Sequence, residues 1–424
     1  MSAMTLTFRT LSPEEFSQFT ETSELRRFQT QSVEFFRAYQ NLGREVELVG
    51  LVDDDGDVFT CHGVALVLFT PWRKVFQVAR IPFGPILDWC DDAVARAFLT
   101  GLVAHLKKHS RVISLTFNPI LARNFYDVGS RVPTSSNEVA DSFERIMVEL
   151  GARREEKEFY EDPAVSVRFI YTKNISGLTF DEALPTLAKG LRRRFRHEGR
   201  YGVETVMEGP DKWEVFERLH ELTVARTGMT AYSQRMHESY REFLRQFGEE
   251  NAALGIAYLR PGHYIEQLSA ERAQLEKRQE ELLTRKATKN RDRELGEIAQ
   301  RFAHIDTQLE AARSTLAEYG EEIPINCAVG FYVDHELVLM IGAMDKRFQD
   351  YLRDYPVERA FFKEACDRGM DIYNTFGISG IWDSSAPDAP VLQFKELLNG
   401  NVEEFVGTYH LAVRPRLAAL AGCR

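Results

Sequence analysis

The sequence predicts an α+β protein with mixed sheets, divided into two domains, with an antiparallel coiled-coil hairpin inserted in the second. Three observations predict it. Strand-like and helix-like patterns alternate over roughly the first third of the chain, and a similar order then returns. At 424 residues the chain is long for one core and sufficient for two. Between Leu295 and Leu316 apolar residues recur in alternating steps of three and four, the seam of a coiled coil.

The elements follow in order. "EVELVGLVDDDGDVFTCHGVALVLFT" reads as two strands around an Asp-Gly turn. "VFQVARIPFGPIL" reads as a third strand ending in a Gly-Pro turn. "DDAVARAFLTGLVAHLKKH" has Asp at its start and cations at its end, as a capped helix should. "VISLTFNPIL" is a strand that closes at Asn-Pro. The second round opens with strand-like "VSVRFIYTKNI", helical "DEALPTLAKGLRRRFRHEG" and strand-like "YGVETVME". Two helical stretches, "DKWEVFERLHELTVAR" and "RMHESYREFLRQFG", lead to the strand "ALGIAYLR", which stops at Pro261-Gly262. Beyond the coiled coil come the strands "INCAVGFYVD" and "ELVLMIGAM", joined by Asp-His, and the helix "PVERAFFKEACDRGM".

The hairpin, residues 263–319, therefore stands between two strands where a plain turn would serve. Its second leg carries Leu295, Ile298, Phe302, Ile305, Leu309, Ala312 and Leu316. Its first leg repeats Leu268, Leu275 and Leu282 every seven residues, with Ile265 before them. The break at "ATKNRD" is short, so the legs fold back antiparallel. Helices of roughly 25 residues project the arm about 37 Å. The tip is basic: Arg285, Lys286, Lys289, Arg291 and Arg293 stand against Asp292. It reads either as a solvated loop or as a phosphate-contacting surface.

The composition is globular, with 44% hydrophobic and 11% aromatic residues. A net charge of −11 argues against a general nucleic-acid binder, so RNA would have to meet local basic patches. Five scattered cysteines without CxxC spacing read as reduced thiols. The start, "MSAMTLTFRTLSPEEF", lacks the marks of a signal peptide, and no apolar run is long enough to span a bilayer. A cytoplasmic protein is expected. No metal site, GxSxG elbow or P-loop is read, and the acyl-CoA signature of common acetyltransferases fails at the last position of "RHEGRY". The body's strongest basic patch is Lys189, Arg192, Arg193, Arg194, Arg196 and Arg200. It either snorkels at a surface or meets an anionic substrate, with Leu191 and Phe195 facing the core. Lys395, after Phe394, reads as a lysine in a strand-like context, placed to stabilise developing negative charge.

An ordered series of motifs resembles the Fem family of aminoacyl-tRNA-dependent peptidyltransferases, which build interpeptide bridges in peptidoglycan. "FQTQSVEFF" resembles the family's Gln-Ser/Thr-x-Glu-aromatic motif and "PFGPILD" its Pro-Arg-Gly-Pro turn. "LTFNPIL", "LRRRFRHEGRYGVE" and "LTVARTGMTAYSQRMHESY" follow in family order. "YNTFGISGIW" and "FKELLNGNVEEFVGTYHL" complete the series.

The resemblance implies two acetyltransferase-like domains without CoA. Residues 1–165 form the first, 166–395 the second, and 396–424 return to the first. It implies aminoacyl-tRNA as donor, and as acceptor the side-chain amine of the third stem-peptide residue on a lipid-linked or UDP-linked muramyl pentapeptide, with possible peripheral contact at the inner membrane face. No cofactor is expected, because the tRNA ester is already activated. Lys395 would stabilise the tetrahedral oxyanion and Phe394 would shape the channel. Arg235 and Tyr240 would bind precursor phosphates or peptide, as would Arg193 of the basic helix. Tyr373 and Asn374 would order the site or form a structural turn. Asp88 would handle the acceptor amine or cap a helix. Arg285, Lys286 and Lys289 would meet tRNA. Phe83 stands at the family's usual Arg, Arg80 at a usual aromatic, Tyr39 at a phosphate-binding Lys of some members, and "GAMDKRF" replaces a Gly-Gly-Ser run. These departures leave the lipid-linked and UDP-linked acceptors open. Two other readings stand beside the resemblance: a non-catalytic binding protein using the arm, and an acyltransferase with another activated donor.

Overall fold

The computed structural model describes residues 6–53, 59–157 and 166–423. The Asp-Gly turn expected at Asp55-Gly56 lies outside them. Among the described residues, seventeen strands form two mixed sheets. The first runs β1 (Leu6–Thr10), β2 (Val46–Asp53), β3 (Thr60–Trp72), β4 (Phe76–Ile81), β6 (Val112–Phe117), β17 (Tyr409–Ala412), β9 (Arg153–Arg154), with β5 (Ile86–Leu87) beside β3. The second runs β11 (Val203–Glu208), β12 (Ala252–Leu259), β13 (Ile323–Val333), β14 (Glu336–Met344), β15 (Ile372–Ile378), β10 (Phe169–Asn174), β16 (Asn401–Phe405), β7 (Ala122–Tyr126), β8 (Ser135–Ser136). Each sheet is antiparallel except at one contact, β4 with β6 and β14 with β15.

The sheets exchange strands. β7 and β8 leave the first segment for the far edge of the second sheet. β16 remains in the second sheet, and only β17 and the helix α13 (Pro415–Leu420) join the first. The crossing thus falls after Phe405, later than the expected 396.

Helices cover both sheets. α3 (Asp92–Leu106) and α4 (Glu138–Glu149) close one face of the first around Phe98, Leu102, Phe143 and Ile146. α1 (Pro13–Thr22) and α2 (Val33–Asn41) lie on its other face and meet α7 (Trp213–Thr227) and α8 (Gln234–Asn251) from the second. Phe16, Phe35, Trp213, Phe243 and Phe247 make this one shared apolar core. On the far face of the second sheet pack α5 (Phe180–Ala183), α6 (Lys189–Phe195) and α11 (Pro356–Asp367). The single helix expected from Asp181 to Gly199 is interrupted at Leu184–Thr186, where Pro185 removes a backbone donor.

The arm is α9 (Pro261–Leu283) and α10 (Lys289–Tyr319), standing between the paired strands β12 and β13. Leu268 and Leu282 of α9 are buried, as are Ile298, Ile305, Leu309 and Ala312 of α10. Arg301 pairs with Glu271 at 2.6 Å and Arg278 with Glu294 at 2.8 Å, so residue numbers fall on one leg as they rise on the other. The seam's heptad is thus satisfied within one chain.

Candidate active site

The second sheet opens at its parallel contact. β14 and β15 pair only through Val338 and Asn374 and then part. Asn374 sits fully buried at the parting, and its Oδ1 accepts from the Phe376 amide at 2.7 Å. Phe376 is held at φ +62, a left-handed conformation unusual for a bulky residue. The carbonyls of Phe376 and Gly377 turn to one donor, the Lys395 Nζ, at 3.2 and 2.7 Å.

Lys395 comes from α12 (Ala389–Glu396), so the strand-like context expected for it is corrected to a helix. Pro390 in the first turn and the buried Ala389, Leu392 and Lys395, three residues apart, mark that helix. Lys395 is 6% exposed. Burial pushes its pKa down to about 7, with only the Asp388 charge acting against the shift. Asp388 accepts from the Ser379 amide at 2.7 Å and its hydroxyl at 2.6 Å. That fixes the turn at Gly380, where a Cβ would stand 2.4 Å from the Phe169 ring. An ammonium has three N–H donors. Two go to carbonyls here, leaving one for a substrate oxygen.

The aromatic neighbours extend the site. Phe394 lies 4.6 Å from the Tyr355 ring, and the Arg194 guanidinium lies 5.2 Å over Tyr355. Arg194 is therefore the member of the basic helix that reaches Lys395's surroundings, and the expected Arg193 is exposed on another face. Tyr373, the residue before Asn374 on β15, has a structural place. It is fully buried, with its hydroxyl donating to the Glu358 carbonyl at 3.2 Å and its ring against Phe362. It ties β15 to α11.

Behind Asn374 lies an ionic network. Asn374 Nδ2 donates to Glu336 at 2.6 Å. Arg26 donates to both oxygens of Glu336 at 2.8 Å and to Glu403 at 2.7 Å. These carboxylates drive the Arg26 pKa up against the cost of its burial. Next to it, Phe28 and Phe83 pack with Phe376 and Val338 at the parting of the strands. Gln31 fastens the turn bearing Phe83: Nε2 donates to the Pro82 carbonyl at 2.8 Å and Oε1 accepts from Leu66 at 2.8 Å. A Cβ at Gly84 would stand 2.6 Å from Gln31. "FQTQS" and "PFGP" thus act as one unit that fills the opening of the other domain's sheet.

On the first domain's side of Phe83 is a cleft of about 200 Å³, lined by Arg26, Phe83, Pro85, Asp88, Trp89 and Ile120. Asp88 is exposed there, and its Oδ1 accepts from the Cys90 amide at 2.9 Å. The helix-capping alternative falls to Asp91, which caps α3. Phe83 and Phe376, 5.7 Å apart, connect this cleft to the Lys395 turn.

Arg235 and Tyr240 lie elsewhere, on α8. Tyr240 stacks between Tyr232 and Trp213, and burial drives its pKa well up. Arg235 is exposed, and its carbonyl accepts from Arg44 at 3.1 Å. Arg44 lies 4.9 Å over Tyr39. Burial lowers the Arg44 pKa, and the neighbouring Arg235 charge lowers it further. Two cations thus lie beside Tyr39. Arg44 carries no motif by which the sequence would single it out. Arg285, Lys286 and Lys289 are exposed at the end of the arm, remote in sequence from these groups.

The FemAB family model matches residues 11–423. Aminoacyltransferase FemA of Staphylococcus aureus strain MRSA252 is 25% identical over 409 residues, covering 95% of this chain and 94% of that protein. The protein of the same name from strain MW2 matches at the same identity and coverage. Among solved structures, that of FemX superposes with a TM-score of 0.76 at 16% identity, covering 97% of this chain and 99% of that one.

Proposed function

The chain belongs to the FemAB family, whose aminoacyltransferases build interpeptide bridges of peptidoglycan, and on that premise we propose that it transfers an amino acid from aminoacyl-tRNA to the side-chain amine of the third stem-peptide residue of a muramyl pentapeptide. The observation that carries the reading is Lys395, a buried amine held on two carbonyls where the second sheet opens.

In this reading the acceptor amine attacks the ester carbonyl of the charged tRNA. The carbonyl oxygen becomes an oxyanion, and the charged Lys395 meets it with its remaining N–H. The intermediate then collapses. The amide forms and the ribose oxygen of the tRNA leaves, taking a proton. Asp88, across Phe83 in the adjoining cleft, is the proposed acceptor of the proton that the attacking ammonium must lose first. Phe394, Tyr355 and Arg194 border the acyl end. Arg44 and Arg235 supply positive charge for the precursor's phosphates, and Tyr240 supports them from α8. Arg285, Lys286 and Lys289 give the tRNA a basic contact at the arm. The reaction would proceed at the cytoplasmic face of the membrane, where charged tRNA and precursor meet. Among the described residues no helix is long and apolar enough to cross a membrane.

The test mixes purified protein with a pool of charged tRNAs and lysine-containing precursor, lipid-linked or UDP-linked, and follows amide formation by mass. One amino acid added to the third residue is the expected result. No product with any amino acid on either acceptor would overturn the reading.

A further inference from the structure

α3 brings His105, and His109 follows just past its end, with the two ring centroids 5.4 Å apart. Glu47 of β2 meets both from the sheet. His105 Nε2 lies 2.9 Å from one carboxylate oxygen and His109 Nε2 3.3 Å from the other. The three ligand atoms lie within 4.8 Å of one another. The expectation of no metal site overlooks this H-x-x-x-H pair, whose third donor stands 58 residues from His105 on another element.

We propose that Glu47, His105 and His109 bind a divalent zinc-type ion. Two imidazole nitrogens and one carboxylate oxygen are a zinc donor set, and three protein ligands leave the fourth position to water. Bonds of about 2.0–2.1 Å place tetrahedral ligand atoms roughly 3.3 Å apart. The two nitrogen–oxygen contacts, 2.9 and 3.3 Å, lie close to that value and all three ligand atoms lie within 4.8 Å of one another, so side-chain shifts complete the site. The rings are already held. His105 is buried with Phe8 at 5.8 Å, and His109 stacks on Phe69 at 4.9 Å. Without metal, each ring can donate its Nε2 proton to a Glu47 oxygen; with metal, each carries its proton on Nδ1. The site belongs to the first sheet and no step of the proposed transfer uses it. Its ion ties the C-terminal end of α3 to β2.

The experiment uses the full-length protein after chelator treatment, titrated with Co²⁺ and then Zn²⁺. One equivalent of Co²⁺ should bind, with a visible ligand-field band, no thiolate charge-transfer absorption, and displacement by Zn²⁺. Zn²⁺ should raise Tm. His109→Ala and Glu47→Gln should each weaken Co²⁺ binding at least tenfold and abolish the Tm rise, while circular dichroism stays unchanged. Glu47→Gln preserves shape, so it reads ligation even where the alanine variant is unstable. Co²⁺ binding that survives in Glu47→Gln, binding with thiolate absorption, or no binding by the native chain would each overturn the site.

Discussion

The two sheets share the order of their first five strands, four antiparallel and then a parallel partner, and they differ at that parallel contact. In the first sheet β4 and β6 pair to their ends, Ile81 with Phe117. Asn118 carries the closure further, accepting from the Phe83 amide at 3.2 Å. In the second sheet β14 and β15 part after Val338 and Asn374. Phe376 turns to positive φ, and a lysine amine meets the carbonyls of Phe376 and Gly377. The same topology thus yields a closed seam and an open one. The closed seam only has to hold the sheet together. The open one holds a buried lysine, and the other domain's Phe28 and Phe83 fill the space beside it.

The largest effect expected is at the open seam. Lys395→Met keeps the volume and removes the amine. Transfer should fall by about 10²–10³-fold, the scale of losing one oxyanion donor, with an unchanged circular dichroism spectrum. Retained activity would take Lys395 out of the chemistry. Glu336→Ala tests the support behind the seam. It leaves Arg26 with Glu403 alone and should cost about 3 kcal/mol in a urea titration. A cost near that of a surface ion pair would mean the network does not hold the opening.

A pH profile separates charge from shape. Lys395 is charged below its lowered pKa of about 7 and neutral above it. If the charged form is the working one, kcat/KM should decline on the alkaline side by about tenfold per pH unit. Lys395→Arg, always charged, should lack that limb. A limb that persists in the arginine variant belongs to another group. The closed seam should respond chiefly in stability. Asn118→Ala should cost about 1 kcal/mol and lower transfer far less than Lys395→Met does. Smallest of all, neutralising Arg285, Lys286 and Lys289 should leave both seams intact, weaken tRNA binding modestly and flatten its salt dependence. An unchanged salt slope would remove the arm from tRNA contact.

Much of the fold was legible because it is written in local periods. The seam of α10 needs only steps of three and four, and its residues are buried or half-buried as that spacing requires. The turn at Asp334-His335 joins β13 and β14 as read, and Pro261 ends a strand by starting a helix. Lys395 was legible as a residue through its resemblance to a motif, but its helix was misread because eight residues give little periodicity. Tyr373 and Asn374 are adjacent in sequence and point to opposite surroundings, one into the α11 core and one into the Arg26 network. Only the strand's alternation distinguishes them, and a motif does not record it.

The sequence by itself determined the alternation of elements, the inserted hairpin, the basic tip and the family to which the chain belongs. These depend on neighbours within a few turns, or on ordered motifs. Tertiary structure alone decided where the sheets exchange strands and which seam opens. It paired Arg26 with Glu336, 310 residues away, and placed Arg194 rather than Arg193 beside Tyr355. It also brought Glu47 to His105 of α3 and to His109 just past its end. The physical reason is common to all of these. Hydrogen bonds, ion pairs and desolvation act through space at a few ångströms, and chain separation does not encode that distance.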